Sequence, residues 1–151
     1  MSAGVKIRPA CSSDASALAG LSGQLGYPAT EAEVSGRLGE LMRHEGQAVF
    51  VAEEADGAVT GWVHAAVYRS LGGDPEGEIV GLVVDQARRG QGFGQRLMRA
   101  AEEWARGRGL RAMRLRSRVH RIEAHRFYER LGYGRLKEQI VLRKELSPER
   151  R

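Results

Sequence analysis

Residues 83–94 read VVDQARRGQGFG, an apolar, strand-like run that passes through a glycine-rich turn into a helix. Glycine allows positive φ and lets a ligand approach the backbone, while the free N–H groups and the dipole at a helix start favour an anion. This stretch therefore predicts a strand, an anion-binding turn and a helix in direct succession.

Two other phosphate-binding motifs fit this turn poorly. A P-loop ends in Gly-Lys-Ser or Gly-Lys-Thr, whereas Gly94 is followed by Gln95 and Arg96. A dinucleotide-binding turn needs Gly-x-Gly-x-x-Gly and an acidic residue about 20 positions later. The glycines here have a different spacing, and residues 112–116 are basic. The turn therefore matches neither class.

The residues on both sides of the turn predict a βαβ unit. Residues 78–84 are strand-like, apolar positions recur at helical spacing over residues 92–106, and residues 112–117 form another strand-like run. Two strands joined by such a crossover helix lie parallel, with a right-handed connection.

The rest of the chain predicts further strands and three more helices. Apolar alternation and turn residues indicate strands over residues 5–9, 48–53, 59–68 and 136–143 and a glycine-rich loop over residues 71–77. Apolar stripes and capping residues indicate helices over residues 15–25, from Thr30 to Gly46, and over residues 121–131. The predicted fold class is α+β: one domain over residues 1–146 with a mixed, mostly antiparallel sheet, about four helices, one parallel β-α-β crossover and a polar tail over residues 147–151.

Length and composition are those of an ordinary globular protein. The chain has 151 residues, 42% hydrophobic and 28% charged, which is enough for one buried core. A single cysteine, Cys11, excludes an intramolecular disulfide, and no stretch resembles a signal peptide or a membrane span. We therefore expect a cytoplasmic protein without a membrane partner. The four histidines are scattered, so we expect no metal.

The chain is basic. Its formal net charge is +5, and all but three of its 24 basic residues are arginine, a balance that favours an anionic partner. Residues 110–119 lack stacking aromatics, which argues against nucleic acid. The alternation of Arg114, Arg116 and Arg118 instead predicts one solvated strand face.

Two segments resemble one protein family. The turn, Arg89-Gly90-Gln91-Gly92-Phe93-Gly94, resembles the Gln/Arg-x-x-Gly-x-Gly/Ala motif of the GNAT superfamily of N-acetyltransferases. Residues 124–133, AHRFYERLGY, look like its fourth-helix segment, and the element order agrees over residues 5–143. The resemblance implies a GNAT-like acyltransferase that moves the acetyl group of acetyl-CoA to a primary amine by direct attack in a ternary complex.

The resemblance also implies which residues bind acetyl-CoA. In similar proteins the turn amides, here of residues 89–94, hold the CoA diphosphate. The backbone of the preceding strand, here Leu82, Val83 and Val84, pairs with the pantetheine arm. An N–H near Val84 would polarise the thioester carbonyl, and a fixed donor of this kind is often worth about 3 to 4 kcal/mol.

The predicted fourth helix carries further candidates. Tyr128 matches the tyrosine that often protonates the CoA thiolate in the family, although it also fits a buried helix face. Arg121 stands where many relatives have an asparagine, and an arginine cannot accept the hydrogen bond from pantetheine. Arg121 and Arg126 are candidates for the CoA phosphates or plain surface residues, and Phe127 is a candidate cofactor contact.

Transfer to an amine also needs a base, because an alkylamine of pKa about 10.4 is mostly protonated at neutral pH. Glu78 occupies a place similar to that of the general-base glutamate in histone-acetylating relatives, and a solvated strand-end carboxylate is the alternative. Other candidates, acting directly or through a water, are Asp74, Glu76, His64 and His120.

The acceptor and one alternative function stay open. The loops at residues 26–30 and 69–77 are expected to frame the acceptor pocket, yet their residues do not discriminate a small-molecule from a peptide amine. A non-catalytic acyl-CoA sensor would keep the turn and need neither base nor acid. A homodimer is compatible with the resemblance, because dimers are common among similar proteins, but no apolar stripe in the sequence supports one.

Overall fold

The computed structural model describes residues 4–147 of the chain. Its helices are α1 Ala15–Leu25, α2 Glu31–Met42, α3 Phe93–Gly107 and α4 Ile122–Arg130. Its strands are β1 Lys6–Pro9, β2 Gln47–Glu53, β3 Val59–Ser70, β4 Gly73–Val84 and β5 Met113–Leu115. The predicted polar tail over residues 147–151 lies outside the described residues, apart from its first residue.

The strands form one sheet in the order β1-β2-β3-β4-β5. Neighbouring strands are antiparallel except β4 and β5, which are parallel and connected through α3. The predicted fold class is therefore confirmed for residues 4–147: four α-helices, a mixed and mostly antiparallel sheet, and one parallel β-α-β crossover.

Internal contacts divide the chain into a unit that ends at Arg116 and a unit that begins at Ser117. The first unit holds the whole sheet together with α1, α2 and α3, and the second holds α4. Within residues 4–147, every helix falls short of the length and apolarity that a membrane crossing requires.

Local signals place α1 and α2 where the sequence predicts them. Gly26 adopts φ +96° directly after α1, a left-handed conformation that ends helices and rarely suits other residues. Thr30 Oγ1 accepts the N–H of Glu33 at 3.1 Å, and the Glu33 carboxylate accepts the N–H of Thr30 at 2.9 Å. This reciprocal capping box starts α2, which ends at Met42, before the predicted stop at Gly46.

The core lies on both faces of the sheet. On one face, Leu18 of α1 and Leu38 of α2 pack with Val51 in a buried cluster. On the other face, Leu97 of α3 is fully buried and lies against Gly61 of β3. Each such leucine contributes about 1.5 to 3 kcal/mol by burial, so both helix layers hold the sheet rigidly from either side.

The predicted loop over residues 71–77 is wrong, because β4 begins at Gly73. Ser70 pairs with Gly73 and Tyr68 pairs with Glu76, so β3 and β4 continue as one long hairpin. A register shift between these two pairs accommodates one extra residue. The pairing with β3 outweighs the glycine and proline content of the segment, since strand propensity depends strongly on context.

The predicted strand over residues 136–143 is also wrong, because that segment has no regular secondary structure. Its apolar side chains Leu136, Ile140 and Leu142 are 76%, 81% and 83% exposed. A strand needs a partner for its backbone hydrogen bonds, and within residues 4–147 this segment pairs with none of the five strands.

Candidate active site

The parallel pairing of β4 with β5 ends part-way along β4, and we call the space that this leaves beside the edge of β4 the cleft. β5 pairs in parallel with residues 77–79 of β4 and extends no further. At the same point the register against β3 shifts beside His64, which leaves Val80 as an extra residue in β4. Such bulges bend a strand. Residues 81–84 keep β3 on one side and, within the described residues, have no strand on the other.

The free edge of β4 presents backbone donors and acceptors. The N–H of Asp85 donates to the carbonyl of Thr60 on β3 at 2.9 Å. Because backbone groups alternate along a strand, Val83 also bonds toward β3, whereas Leu82 and Val84 present their N–H and C=O groups to the cleft. An extended ligand arm can bond to this edge as an added strand would.

The turn after β4 is tied down on two sides. The N–H of Gln86 donates to Oε1 of Gln24, which lies on α1, at 2.9 Å. The guanidinium of Arg88 donates to the carboxylate of Glu54, beyond the end of β2, at 2.6 Å. These contacts hold the start of the turn against the sheet and α1. Gln24 and Glu54 carry no recognisable motif, and sequence reasoning did not single them out.

The second half of the turn exposes backbone N–H groups. Gly90 and Gly92 adopt φ +81° and +85°, the left-handed region in which glycine is favoured. α3 begins directly after Gly92 with no side-chain cap, and the first intrahelical bond runs from the N–H of Arg96 to the carbonyl of Gly92. The three N–H groups between these residues therefore have no intrahelical acceptor, and the helix dipole adds positive potential there.

The six predicted turn residues divide between the turn and the helix. Arg89, Gly90, Gln91 and Gly92 lie in the turn, while Phe93 and Gly94 open α3. Phe93 is only 2% exposed and anchors α3 in the core. Nε of Arg89 donates to the free-edge carbonyl of Val84 at 3.3 Å.

Glu78 lies on β4 just before the cleft opens. Its side chain is only 12% exposed, and its carboxylate accepts from Nη2 of Arg116 on the neighbouring chain segment at 3.2 Å. Ala66 is its partner on β3. A largely buried carboxylate can accept a proton from a bound ammonium.

His64 lies close enough to Glu78 for the two charges to interact. Burial lowers the pKa of His64, and the negative charge of Glu78 partly opposes that shift, so the ring is neutral at pH 7. Nε2 donates to Oε1 of Gln47 at 2.7 Å, since that amide oxygen can only accept, and Nδ1 is left with its lone pair. The structure thus brings together two of the predicted bases.

The other predicted bases are placed differently. Asp74 is exposed at the start of β4, and Glu76 lies opposite Tyr68. His120 belongs to the second unit. Within residues 4–147, no three His, Cys, Asp or Glu side chains form a group that could hold a metal ion.

Arg114 does not lie on a solvated face as predicted. It is half-buried, its guanidinium lies 4.3 Å from the centre of the Tyr68 ring, and it is the register partner of Glu78. Arg116 is exposed but bonds to Glu78. Alternation along the sequence signalled one shared face for the arginines, but only the sheet register shows that this face also carries Glu78.

The second unit carries the remaining candidates. Tyr128 contacts the rings of Phe127 and Tyr133 edge to face, with centroids 5.1 and 6.1 Å apart. Burial raises the pKa of Tyr128, and the positive charge of Arg121 partly opposes this, so the phenol is protonated at neutral pH. Arg121, at the start of α4, and Arg126 are both exposed.

In the first unit, a free strand edge that runs into an uncapped helix start suits a ligand with an extended arm and a diphosphate. The backbone groups of this edge and helix start suit a nucleotide-bearing carrier such as a coenzyme thioester. The geometry is therefore that expected of a protein that transfers a group from such a carrier.

Comparison with known proteins identifies the family. Residues 21–133 match the family model described as Acetyltransferase (GNAT) family. The aminoglycoside N(6')-acetyltransferase type 1 of Stenotrophomonas maltophilia is 30% identical over 147 residues, 94% of each chain. The aminoalkylphosphonate N-acetyltransferase of Salmonella typhimurium is 47% identical over 57 residues, 38% of this chain and 37% of that protein. The chain belongs to the acetyltransferase (GNAT) family, and the predicted acyltransferase class is confirmed.

A solved structure has a similar fold. AAC(6')-Iy in complex with the bisubstrate analogue CoA-S-monomethyl-acetylneamine has a TM-score of 0.82 to this chain. The match is 23% identical and covers 94% of this chain and 99% of that one. At this identity the likeness shows a shared fold.

Proposed function

We propose that this protein transfers the acetyl group of acetyl-CoA to the primary amine of a small molecule, by direct attack within a ternary complex. The observation that carries the proposal is the continuous path from the free edge of β4 to the uncapped start of α3. Family membership supports the acyl donor, and the two curated relatives, both named for the acetylation of small amines, support the acceptor class.

The chain's own residues fit the donor. The unsatisfied N–H groups that follow Gly92 would hold the diphosphate, and Leu82 and Val84 would hold the pantetheine arm at the free edge. Acetyl-CoA supplies an acetyl group activated as a thioester. A backbone N–H of this edge would stabilise the negative charge that develops on the carbonyl oxygen.

Two side chains would transfer protons during the reaction, one as the base and one as the acid. Glu78 would accept the proton that the ammonium must lose before its nitrogen bonds to the acetyl carbon. Tyr128, whose pKa is raised by burial, would supply the proton that the departing sulfur takes. The electron pair of the broken C–S bond leaves on the sulfur, and the nitrogen loses its second proton as the amide forms. That second proton restores the Tyr128 phenol, and Glu78 releases the first to solvent, so no covalent enzyme intermediate is needed.

Binding of the donor tests the proposal most directly. Isothermal titration calorimetry should show one acetyl-CoA bound per chain. Gly92→Ala should weaken this binding about 5- to 30-fold, since a side chain costs roughly 1 to 2 kcal/mol in the left-handed region and the relaxed turn must be restored on binding. Gly109→Ala is the matched control, because Gly109 has φ +78° and lies beyond the other end of α3.

Two kinds of result would count against this proposal. No heat with the wild-type protein and acetyl-CoA, or equal affinity of the Gly92→Ala and Gly109→Ala variants, would contradict the proposed donor site. Donor binding without turnover on any amine would favour the non-catalytic acyl-CoA sensor instead.

Tyr128→Phe tests the general acid. We expect kcat to fall about 10- to 100-fold while the far-UV spectrum and the melting temperature stay close to those of the wild type. Because the pKa of Tyr128 is raised, the wild-type rate should persist into alkaline solution rather than fall with an ordinary phenol. Tyr133→Phe, in the same ring cluster, is the comparison variant. Equal kcat values for wild type and Tyr128→Phe at every pH would remove this role.

A further inference from the structure

We infer that the acceptor is a primary amine that also carries an acidic group, a phosphonate, phosphate or carboxylate, and that Arg114 binds this group while Glu78 takes the ammonium. The inference rests on the proposed function and adds to it the charge of the acceptor. Arg114 is a specificity-determining residue in this reading.

The two groups lie side by side at the mouth of the cleft. Arg114 on β5 is the register partner of Glu78 on β4, and neighbouring strands are about 4.8 Å apart. The Arg114 guanidinium reaches across β4 to the ring of Tyr68 on β3, 4.3 Å from its centre. A linker of two or three carbons would therefore let one molecule reach both groups.

Arg114 has no anionic partner in the structure. The carboxylate of Glu78 is bonded to Arg116 instead, and within residues 4–147 no ion pair includes Arg114. Its Nε is buried without any hydrogen-bond partner, so the guanidinium is only partly satisfied by the Tyr68 ring. A half-buried guanidinium lacking an anion is costly, and its planar fork matches a carboxylate or phosphonate.

The charges on this face suit a zwitterion. Arg114 and Arg116 supply two positive charges, while Glu78 and Glu76, which alternate along β4, supply two negative ones. His64 is neutral at pH 7, because burial lowers its pKa. An acceptor with several ammonium groups and no anion would place a cation beside Arg114, and the net charge of +5 would also repel it.

A matched set of acceptors tests the inference. Release of free CoA would be followed with 3-aminopropylphosphonate, 4-aminobutanoate, 3-aminopropanol and spermidine. We expect kcat/KM to be about 10- to 100-fold higher for an anionic amine than for 3-aminopropanol, the range of a charge-assisted hydrogen-bonded pair. The order of the phosphonate and the carboxylate shows which acid the site prefers. Spermidine should be the poorest acceptor.

Variants then assign the preference to one residue. Arg114→Met should lower kcat/KM about 10- to 100-fold for the better anionic amine and leave the value for 3-aminopropanol unchanged. Arg114→Lys, which keeps the charge but loses the fork, should fall between. Arg111→Met removes the same charge from an exposed position outside the group formed by Arg114, Arg116, Glu76 and Glu78. It should leave kcat/KM unchanged for every acceptor. Should Arg114→Met not fold, the wild-type acceptor series decides alone.

The opposite results separate this inference from the proposed function. Equal or better turnover of 3-aminopropanol or spermidine would overturn the acidic acceptor and keep the acetyltransferase. An equal loss on all acceptors in Arg114→Met would show a structural role only and overturn the assignment. Absence of turnover with all four amines would overturn the inference too, and calorimetry with acetyl-CoA would then show whether the donor site fails with it.

Discussion

Glu78→Gln is expected to lower kcat/KM for amine acetylation about 10²- to 10⁴-fold at neutral pH, the range of a lost general base. Glutamine keeps the shape of the side chain and can still accept from Arg116, which bonds to the carboxylate at 3.2 Å. It cannot take a proton from the ammonium. Thermal unfolding should therefore change little while the rate falls.

The pH profile distinguishes a base from a structural residue. An amine of pKa about 10.4 is increasingly neutral as the pH rises, so the loss caused by Glu78→Gln should be largest at low pH and shrink in alkaline solution. Glu76→Gln makes the same charge change two residues earlier on β4 and should cost far less. A loss that is uniform at all pH values would contradict the role of Glu78 as base.

His64, which lies near Glu78, is the alternative candidate for the base. Its ring is neutral and its Nδ1 retains a lone pair, because Nε2 is engaged with Gln47. Unchanged activity of Glu78→Gln together with a large loss in His64→Gln would transfer the role to the imidazole.

The second large effect concerns folding. Asp14→Asn is expected to lower the free energy of unfolding by about 3 kcal/mol, the lower end of the cost of breaking a buried ion pair. Asp14 is 5% exposed, bonds to both terminal nitrogens of Arg8 at 2.8 and 2.9 Å, and accepts the N–H of Cys11. Arg8 keeps a second partner in Glu53, which limits the loss.

Urea unfolding at several pH values measures this effect. The hydrogen bonds from Arg8 hold the pKa of Asp14 below its usual range. The contribution of the Asp14 carboxylate to the free energy of unfolding is therefore fully present above the unfolded pKa of about 3.9. It is lost as the pH falls through the lower pKa of the folded state. The gap in stability between wild type and Asp14→Asn should shrink accordingly on acidification.

A surface carboxylate supplies the control. Glu40 is exposed and pairs only with Arg43 and His44 on the same helix end, so Glu40→Gln should leave the unfolding curve unchanged. A constant gap between wild type and Asp14→Asn from neutral to strongly acidic solution would show that the ion pair of Asp14 is not its source.

The predictable parts of the fold are those with local causes. Thr30 and Glu33 cap each other within one turn of helix, and Gly90 and Gly92 meet a backbone requirement within their own turn. Both strand errors concern pairing with another segment, which the composition of a segment does not reveal. Residues 73–77 join the sheet because β3 lies beside them, and residues 136–143 form no strand because none of the strands within residues 4–147 pairs with them.

The residues of the candidate site also divide into those that the sequence identifies and those that only the sheet brings together. Glu78 and the turn residues resemble motifs of the GNAT family, so the sequence alone identifies them as candidates. Gln47, Tyr68 and Arg114 carry none, since each joins the Glu78 face only through strand register. Alternation predicts a solvated face for Arg114, because it reveals which residues share a side and says nothing about what covers that side.

By itself, then, the order of amino acids determined the helix caps, the crossover unit, the glycine-rich turn before α3 and the family. These depend on backbone preferences and apolar spacing within a few residues of each position. Only the tertiary structure decided where β5 leaves β4 and that His64 lies near Glu78. It also decided that Arg114 lies next to Glu78 on the neighbouring strand without forming an ion pair within residues 4–147. Those features come from pairing between strands that are remote in sequence, and short-range patterns do not encode such pairing.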